Sequence, residues 1–357
     1  RVNSEKSYHK IKDLIGVSGL KYKSVFGRRF LMKGKFASVP AVEYLKNVIG
    51  NEKIEDVAAA CQRRLEEVVL EWISNVFEHV KQNYSFNGNL ALTGGVFANV
   101  RLNQKIMQLP QVRNIYVHPN MGDGGLATGA ALYVYSKKFG LNPFKLENIY
   151  FGLEYSDEEI KAELKKNNLK FNYTDEIEGH IADLLSNGKV VARFDGRMEY
   201  GPRALGNRSI LYQATDVTVQ DWLNKLLDRT EFMPFAPVTL DKFKHKCYET
   251  YDSADYTSKF MTITLNCKDY MKENQPAVVH LDGTARPQIL SPNDNPSYFK
   301  ILNEYYKITG IPSLINTSFN MHEEPIVCSP ADAISSFKRG NLDYLAISNY
   351  LVKQKRR

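Results

Sequence analysis

The sequence predicts an α/β protein, and three observations carry that expectation. A short apolar run ending in paired glycines and followed by a helix-like stretch occurs twice between residues 90 and 139. Further on, helix-like periodicity again alternates with β-branched runs. The 357 residues are 43% hydrophobic and 24% charged, enough apolar material for two domains of about 100–200 residues each.

The first clear element covers residues 54–83. Val57, Cys61, Leu65, Val68, Trp72 and Val76 recur every three or four residues among Arg63, Arg64, Glu66, Glu67 and Glu71, which predicts a helix with that stripe as its core face. A strand at 90–92 stops at Thr93-Gly94-Gly95, and a helix is expected over 96–109. A second strand at 114–118 enters Asn120-Met121-Gly122-Asp123-Gly124-Gly125, followed by a small-residue helix over 126–139. Gly140, Pro143 and Gly152 then change the punctuation, dividing the domains into 1–150 and 151–357. Ser156 to Glu159 has the spacing of a capped helix start. A helix over 176–186 hands over at Asn187-Gly188 to a strand at 189–194, and further strands are expected at 258–265, 277–281 and 311–315.

The net charge of +7 is unevenly placed. Residues 1–36 hold ten basic side chains against Glu5 and Asp13, and the last five residues add four more, leaving 37–352 net acidic by five. A basic arm suits nucleic acid or an anionic substrate, and equally a solvated tail. The chain opens on Arg1 rather than Met, which suggests processing or an upstream segment. No run approaches the ~18 apolar residues of a membrane span, and Cys61, Cys247, Cys267 and Cys328 are scattered without a CxxC. A soluble, cytoplasmic protein is expected. The seven histidines show no HxxxH or HExxH spacing, and neither GxxxxGK[ST] nor GxSxG occurs, which leaves zinc proteases, P-loop enzymes and α/β-hydrolases without support.

Five segments look chemical. The two glycine turns let backbone approach a ligand and point helix N–H groups at an anion. Asp123 within the second suits a metal or a ribose hydroxyl, or simply caps a helix. The densest cluster is Gly196-Arg197-Met198-Glu199-Tyr200-Gly201-Pro202-Arg203-Ala204-Leu205-Gly206-Asn207-Arg208-Ser209. Its three arginines are suited to bidentate phosphate or carboxylate binding, the alternative being a solvated basic loop. Downstream, Arg286 follows a strand and turn, and Asn316-Thr317-Ser318-Phe319-Asn320 ends a strand in a polar row. That row suits a ligand edge, or a turn satisfying its own backbone.

Taken together, these segments resemble the nodulation-type carbamoyltransferase family, which includes the antibiotic O-carbamoyltransferases. The resemblance also covers Asp56 to Gln62, Pro234 to Pro237 and Glu324-Pro325, and extends over roughly residues 54–350. It implies part of an actin/sugar-kinase-like domain, of threonylcarbamoyl-transferase type, followed by a YrdC-like α/β domain. The implied reaction forms carbamoyl-adenylate from carbamoyl phosphate and ATP with Mg2+, then passes the carbamoyl group to an acceptor hydroxyl with the help of a divalent metal such as Fe2+. By position, the resemblance assigns Arg203, Arg208, Ser318 and Asn320 to catalysis. It assigns Gly94, Gly95, Asn99, Gly124, Arg229, Arg286 and Asn316 to nucleotide and phosphate binding, and Asp123 to the metal. It departs at 225–233, where Arg229 is kept, Lys225 stands near the place of a family lysine, and Met233 replaces an arginine. It departs again upstream of residue 54, where no His-x-x-x-His is visible and the first lobe looks incomplete. Carbamoylation of a hydroxymethylated pyrimidine, with DNA as a partner, is an alternative supported by the basic arm. A non-catalytic nucleotide-binding scaffold is another. No membrane partner is expected, and an oligomer is compatible with the sequence.

Overall fold

The computed structural model describes residues 4–25, 38–140, 145–228, 234–249 and 252–354. The chain forms two compact units, residues 1–89 with 105–113, and residues 90–104 with 114–357. The glycine turns therefore belong to the same unit as the arginine cluster. Among the described residues no helix is long and apolar enough to cross a membrane.

In the first unit, α1 (Glu5–Ile11) precedes the antiparallel hairpin β1 (Ile15–Ser18) and β2 (Lys21–Ser24), then α2 (Ser38–Ile49) and the long α3 (Ile54–Asn83). The helix expected at 54–83 is present, but its buried stripe is Ala60, Val68, Val69, Ile73 and Phe77. Of the expected face only Val68 is buried, and Cys61 is exposed. Trp72 lies on the hairpin side, stacked on Tyr22 at 5.4 Å and donating to the Leu20 carbonyl at 3.0 Å. The basic arm is partly neutralised: Lys6 and Lys10 pair with Glu52, and the Arg63 guanidinium lies 3.9 Å over the Tyr8 ring.

The second unit begins with β3 (Asn89–Leu92), paired with β4 (Asn114–Val117). The helix expected over 96–109 is split into a 3-10 turn, Gly95–Ala98, and α4 (Val100–Met107). The break falls at Asn99, whose extended backbone (φ −77°, ψ 93°) leaves the helix while its Oδ1 accepts from Leu102 N–H. α5 (Gly125–Phe139) follows β4. Then come α6 (Asp157–Lys166), opened by the expected capping box of Ser156 and Glu159, β5 (Phe171–Tyr173), α7 (Ile177–Ser186), β6 (Val191–Phe194), β7 (Arg208–Gln213), α8 (Val219–Leu226) and β8 (Ala236–Leu240). After the short pair β9 (Leu265–Asn266) and β10 (Thr284–Ala285), the chain adds β11 (Gln288–Leu290), α9 (Pro296–Thr309), β12 (Ser313–Ser318), α10 (Pro330–Arg339), β13 (Tyr344–Ile347) and β14 (Tyr350–Lys353).

Eight of these strands form one mixed sheet in the order β11-β8-β12-β7-β6-β13-β14-β5. β11 with β8 and β6 with β13 are parallel, and the other pairs are antiparallel. The central strands β6 and β8 are buried at every position, as expected when both faces of a sheet are covered. On one face α7 and α9 contribute Ile181, Leu185, Ile301 and Leu302 against Val191, Leu211, Val238 and Leu314. Each such side chain removed from water contributes about 1.5–3 kcal/mol.

Two expected strands are absent. Residues 257–260 and 276–278 are 3-10 turns. In the first, Thr257 Oγ1 bonds Val117 N–H and Thr262 Oγ1, which holds the chain in a buried turn. In the second, Pro276 removes a ladder donor. Conversely, the last two residues of the arginine cluster, Arg208 and Ser209, open the central strand β7.

Strand ends decide where a site can form. β6 ends at Phe194, β7 starts opposite it at Arg208, and β12 ends at Ser318 opposite Ser209. The loop 195–207 crosses this end and turns into β7 at Gly206. There φ is +117° and an added Cβ would stand 2.3 Å from the ring of fully buried Tyr298. Gly206→Ala is expected to cost about 2–4 kcal/mol through the left-handed backbone and overpacking. Calorimetric melting checks this, and an unchanged Tm would refute the close approach.

Candidate anion site at the β6–β7 loop

Glu199 holds the loop from inside. It is 6% exposed, and its Oε1 accepts backbone N–H groups from Leu205 (2.7 Å), Asn207 (2.8 Å) and Arg208 (3.2 Å). Arg193, on β6, grips the same loop: Nη1 donates to Gly206 O and Asn207 Oδ1, and Nη2 to Asp195 and Ser297. Charge-assisted bonds of this kind are stronger than neutral ones and fix backbone direction. The loop is thus clamped by one buried carboxylate and one buried guanidinium.

The clamp determines what each arginine does. Arg208 is fully buried; its Nη atoms donate to the carbonyls of Asp195, Asn207, Leu153 and Gly196, and its guanidinium lies 3.7 Å over the Phe194 ring. It is engaged in holding the loop, with only Nε lacking a partner. Arg203 differs. Its one bond is a long 3.5 Å contact to Ala98 O in the first glycine turn, and its Nε is buried without a partner. Arg286 lies close enough to Arg203 for the two charges to oppose each other. Burial, and then this neighbour, push Arg286 down to about 9, and burial lowers Arg203 too. Among the described residues neither forms an ion pair, whereas Arg193 pairs with Asp195 and Arg101 with Asp282. Two partly buried cations without a carboxylate are unfavourable alone and favourable around an anion.

The polar row lies behind this pair. Asn316 is 2% exposed; its Nδ2 donates to Ala204 O (3.1 Å) and Gln288 Oε1 (2.8 Å), leaving Oδ1 buried without a partner. Ser318 donates to Asn320 Oδ1 (2.6 Å), and Asn320 donates to Glu324 O (2.7 Å). This pair shapes the turn after β12, its groups satisfying one another.

The glycine turns join the same unit. Gly94 N–H donates to Met121 O at 2.6 Å, tying the two turns together, and Gly95 has open space where a Cβ would be. Gly124 packs on the Asn120 amide, and Gly201 of the arginine loop meets Pro119 O. Tyr200, within the cluster, lies 3.3 Å from His118 Nε2 and 2.7 Å from Thr128 Oγ1. Burial lowers the pKa of His118, and its ring links β4 to the arginine loop.

Asp123 is exposed, and among the described residues no three His, Cys, Asp or Glu side chains gather. Among the described residues, Asp123 therefore stands without two further His, Cys, Asp or Glu ligands beside it for the metal that the family resemblance implies. Asn99 serves as a helix cap, and Arg229 lies outside the described residues. Glu199 and Arg193 were not singled out from sequence. The visible signal for Glu199 was a lone carboxylate among three arginines.

The family model described as Carbamoyltransferase N-terminus matches residues 7–132, and the one described as Carbamoyltransferase C-terminus matches residues 182–354. The chain belongs to the carbamoyltransferase family. An uncharacterized protein of Methanocaldococcus jannaschii is 38% identical over 85% of this chain and 50% of its own length. Nodulation protein NolNO of Sinorhizobium fredii is 35% identical over 84% of this chain and 44% of its own length. Nodulation protein NolO of Bradyrhizobium diazoefficiens is 34% identical over 84% and 55%. The chain thus spans about half the length of the curated relatives it matches. Within the family match, Arg203, Arg208, Arg286, Asn316, Ser318 and Asn320 fall in the C-terminal segment, and Gly94, Gly95, Asn99, Asp123 and Gly124 in the N-terminal one.

Because Arg203 and Arg286 oppose each other, Arg286→Met should raise the Tm without ligand by a few degrees. The same change should abolish the rise that inorganic phosphate produces in the wild-type chain. A fall in Tm, or a phosphate shift that survives, would contradict the pairing.

Proposed function

We propose that this chain carries the phosphate-handling site of an ATP-dependent carbamoyltransferase. The observation that carries the reading is the Arg203–Arg286 pair: two partly buried guanidinium groups, Arg203 on the clamped loop and Arg286 between β10 and β11, near enough for their charges to oppose and unpaired by any carboxylate among the described residues. Family membership supports carbamoyl transfer. In the proposed reaction, carbamoyl phosphate, ATP and water give carbamoyl-adenylate, pyrophosphate and phosphate. An acceptor hydroxyl then attacks the carbamoyl carbon; its proton is lost and AMP leaves.

Arg203 and Arg286 would hold phosphoryl oxygens and offset the charge that grows on the departing pyrophosphate. Partial burial makes each contact stronger than it would be in water. Glu199 and Arg193 keep the loop from rearranging as that charge moves, so the donors are oriented before the reaction begins. Asn316 Oδ1, an acceptor without a partner, suits the amide N–H of a carbamoyl group. The open backbone at Gly95 suits close approach of the adenylate.

Incubation with carbamoyl phosphate and MgATP, followed by a pyrophosphate assay, tests the first half-reaction. Pyrophosphate release is expected from the wild-type chain, with a loss of at least a hundredfold in Arg203→Ala, comparable to losing a charge-stabilising donor. Release by Arg203→Ala at the wild-type rate would remove the arginine from the site. No release from the folded wild-type chain would overturn the activity.

A further inference from the structure

The stretch that joins the two family-matched segments is built into the anion site. Residues 145–153 lie outside both matches, which cover 7–132 and 182–354, and the sequence places a domain boundary there. In the structure this stretch pairs with the arginine loop. Tyr200 N–H donates to Ile149 O (2.7 Å), Gly152 N–H to Met198 O (2.9 Å) and Met198 N–H to Leu153 O (3.1 Å). It therefore runs beside the loop as a strap. Gly152 allows that approach, since a Cβ there would stand 2.7 Å from Met198 Cβ. Ile149 anchors the strap in an apolar cluster with Leu205, Ala236 and Phe260.

One side chain of the strap reaches the loop just past Arg203. Tyr150 Oη donates to Leu205 O at 2.8 Å, and Gln288 Nε2 donates to the same oxygen at 3.0 Å. Burial, and then the Glu199 charge, push the Tyr150 pKa up, so the hydroxyl keeps its proton and stays a donor. Leu205 N–H is held on Glu199, and Ala204 O on Asn316. The backbone on the C-terminal side of Arg203 is thus fixed by its neighbours. The Arg203 side chain has a single bond of its own, 3.5 Å long. Where that guanidinium lies is set by the backbone that carries it.

We propose that Tyr150 is a positioning residue of the anion site, fixing the Leu205 peptide so that Arg203 meets a bound phosphoryl group in register. The inference rests on the anion site proposed above and adds to it a residue that neither family match contains. The hydroxyl is suited to this role rather than to stability. With Gln288 still donating to Leu205 O, its removal leaves no orphan carbonyl, the costly outcome in a buried setting. What is lost is one of two donors that fix the direction of the peptide. A planar guanidinium fork binds through aligned donors and suffers from such a shift. A lysine ammonium, a flexible point charge, does not.

Isothermal titration of pyrophosphate into the full chain tests this across wild type, Tyr150→Phe, Arg203→Lys and the double variant, with melting curves of each. Tyr150→Phe should melt within about 2 °C of wild type and bind pyrophosphate about fivefold more weakly. In the Arg203→Lys background the same change should weaken binding by less than about twofold, because the coupling runs through the guanidinium. Equal weakening in both backgrounds would show a general loosening of the site and overturn the proposal. So would unchanged binding by Tyr150→Phe, or a variant that no longer folds, since the phenol would then act on stability alone. A wild-type chain that binds no pyrophosphate would overturn the anion site itself, and this inference with it.

Discussion

The Glu199 carboxylate and its three backbone donors determine what the site can be. A loop carrying Arg197 and Arg203 across the end of a sheet would ordinarily be solvated and mobile, because loops hold few buried contacts. Here one buried oxygen gathers the N–H groups of residues 205, 207 and 208, and Arg193 takes the outward carbonyl of Gly206. The backbone is thereby locked at the point where it enters β7. Gly206, pressed on Tyr298, is the only kind of residue that fits that lock.

Fixing the loop separates the arginines into two roles. Arg208 is turned inward and spent on carbonyls, so it carries stability. Arg203 lies near enough to Arg286 for their charges to oppose, with no carboxylate among the described residues to receive either charge. The two charges therefore oppose each other, and in the proposed function a bound anion would relieve that opposition. The clamp limits how far the Arg203 backbone can shift, because moving the loop would break the bonds from residues 205, 207 and 208 to Glu199, each costly to lose in a buried setting. In the proposed function, donors held this way would need no reorganisation when phosphate binds.

Much of this was legible in the sequence, at the level of segments. The α/β class, the long helix at 54–83, both glycine turns, the Ser156 cap and the arginine cluster all stand where pattern reasoning puts them. What pattern could not supply was which face or partner each side chain takes. The stripe of α3 is displaced because Trp72 has an aromatic and a carbonyl partner in the hairpin. The strand expected near 258–265 is a turn because Thr257 bonds across to β4, a long-range contact invisible to local periodicity. Arg203 and Arg208 lie five residues apart in one motif and look equivalent. Only the register of β7 against β6 and the loop's hydrogen bonds show that Arg208 is buried among carbonyls while Arg203 makes one long bond to Ala98 O.

The central claim is that Glu199 positions Arg203 for an anion without touching that anion itself. Isothermal titration of pyrophosphate into the wild-type chain and into Glu199→Ala, with circular dichroism to confirm that both are folded, tests it most directly. The account predicts a folded variant whose Kd rises at least tenfold, about 1.4 kcal/mol, because its loop no longer presents the Arg203 guanidinium. A folded Glu199→Ala chain that binds pyrophosphate as tightly as wild type would contradict it.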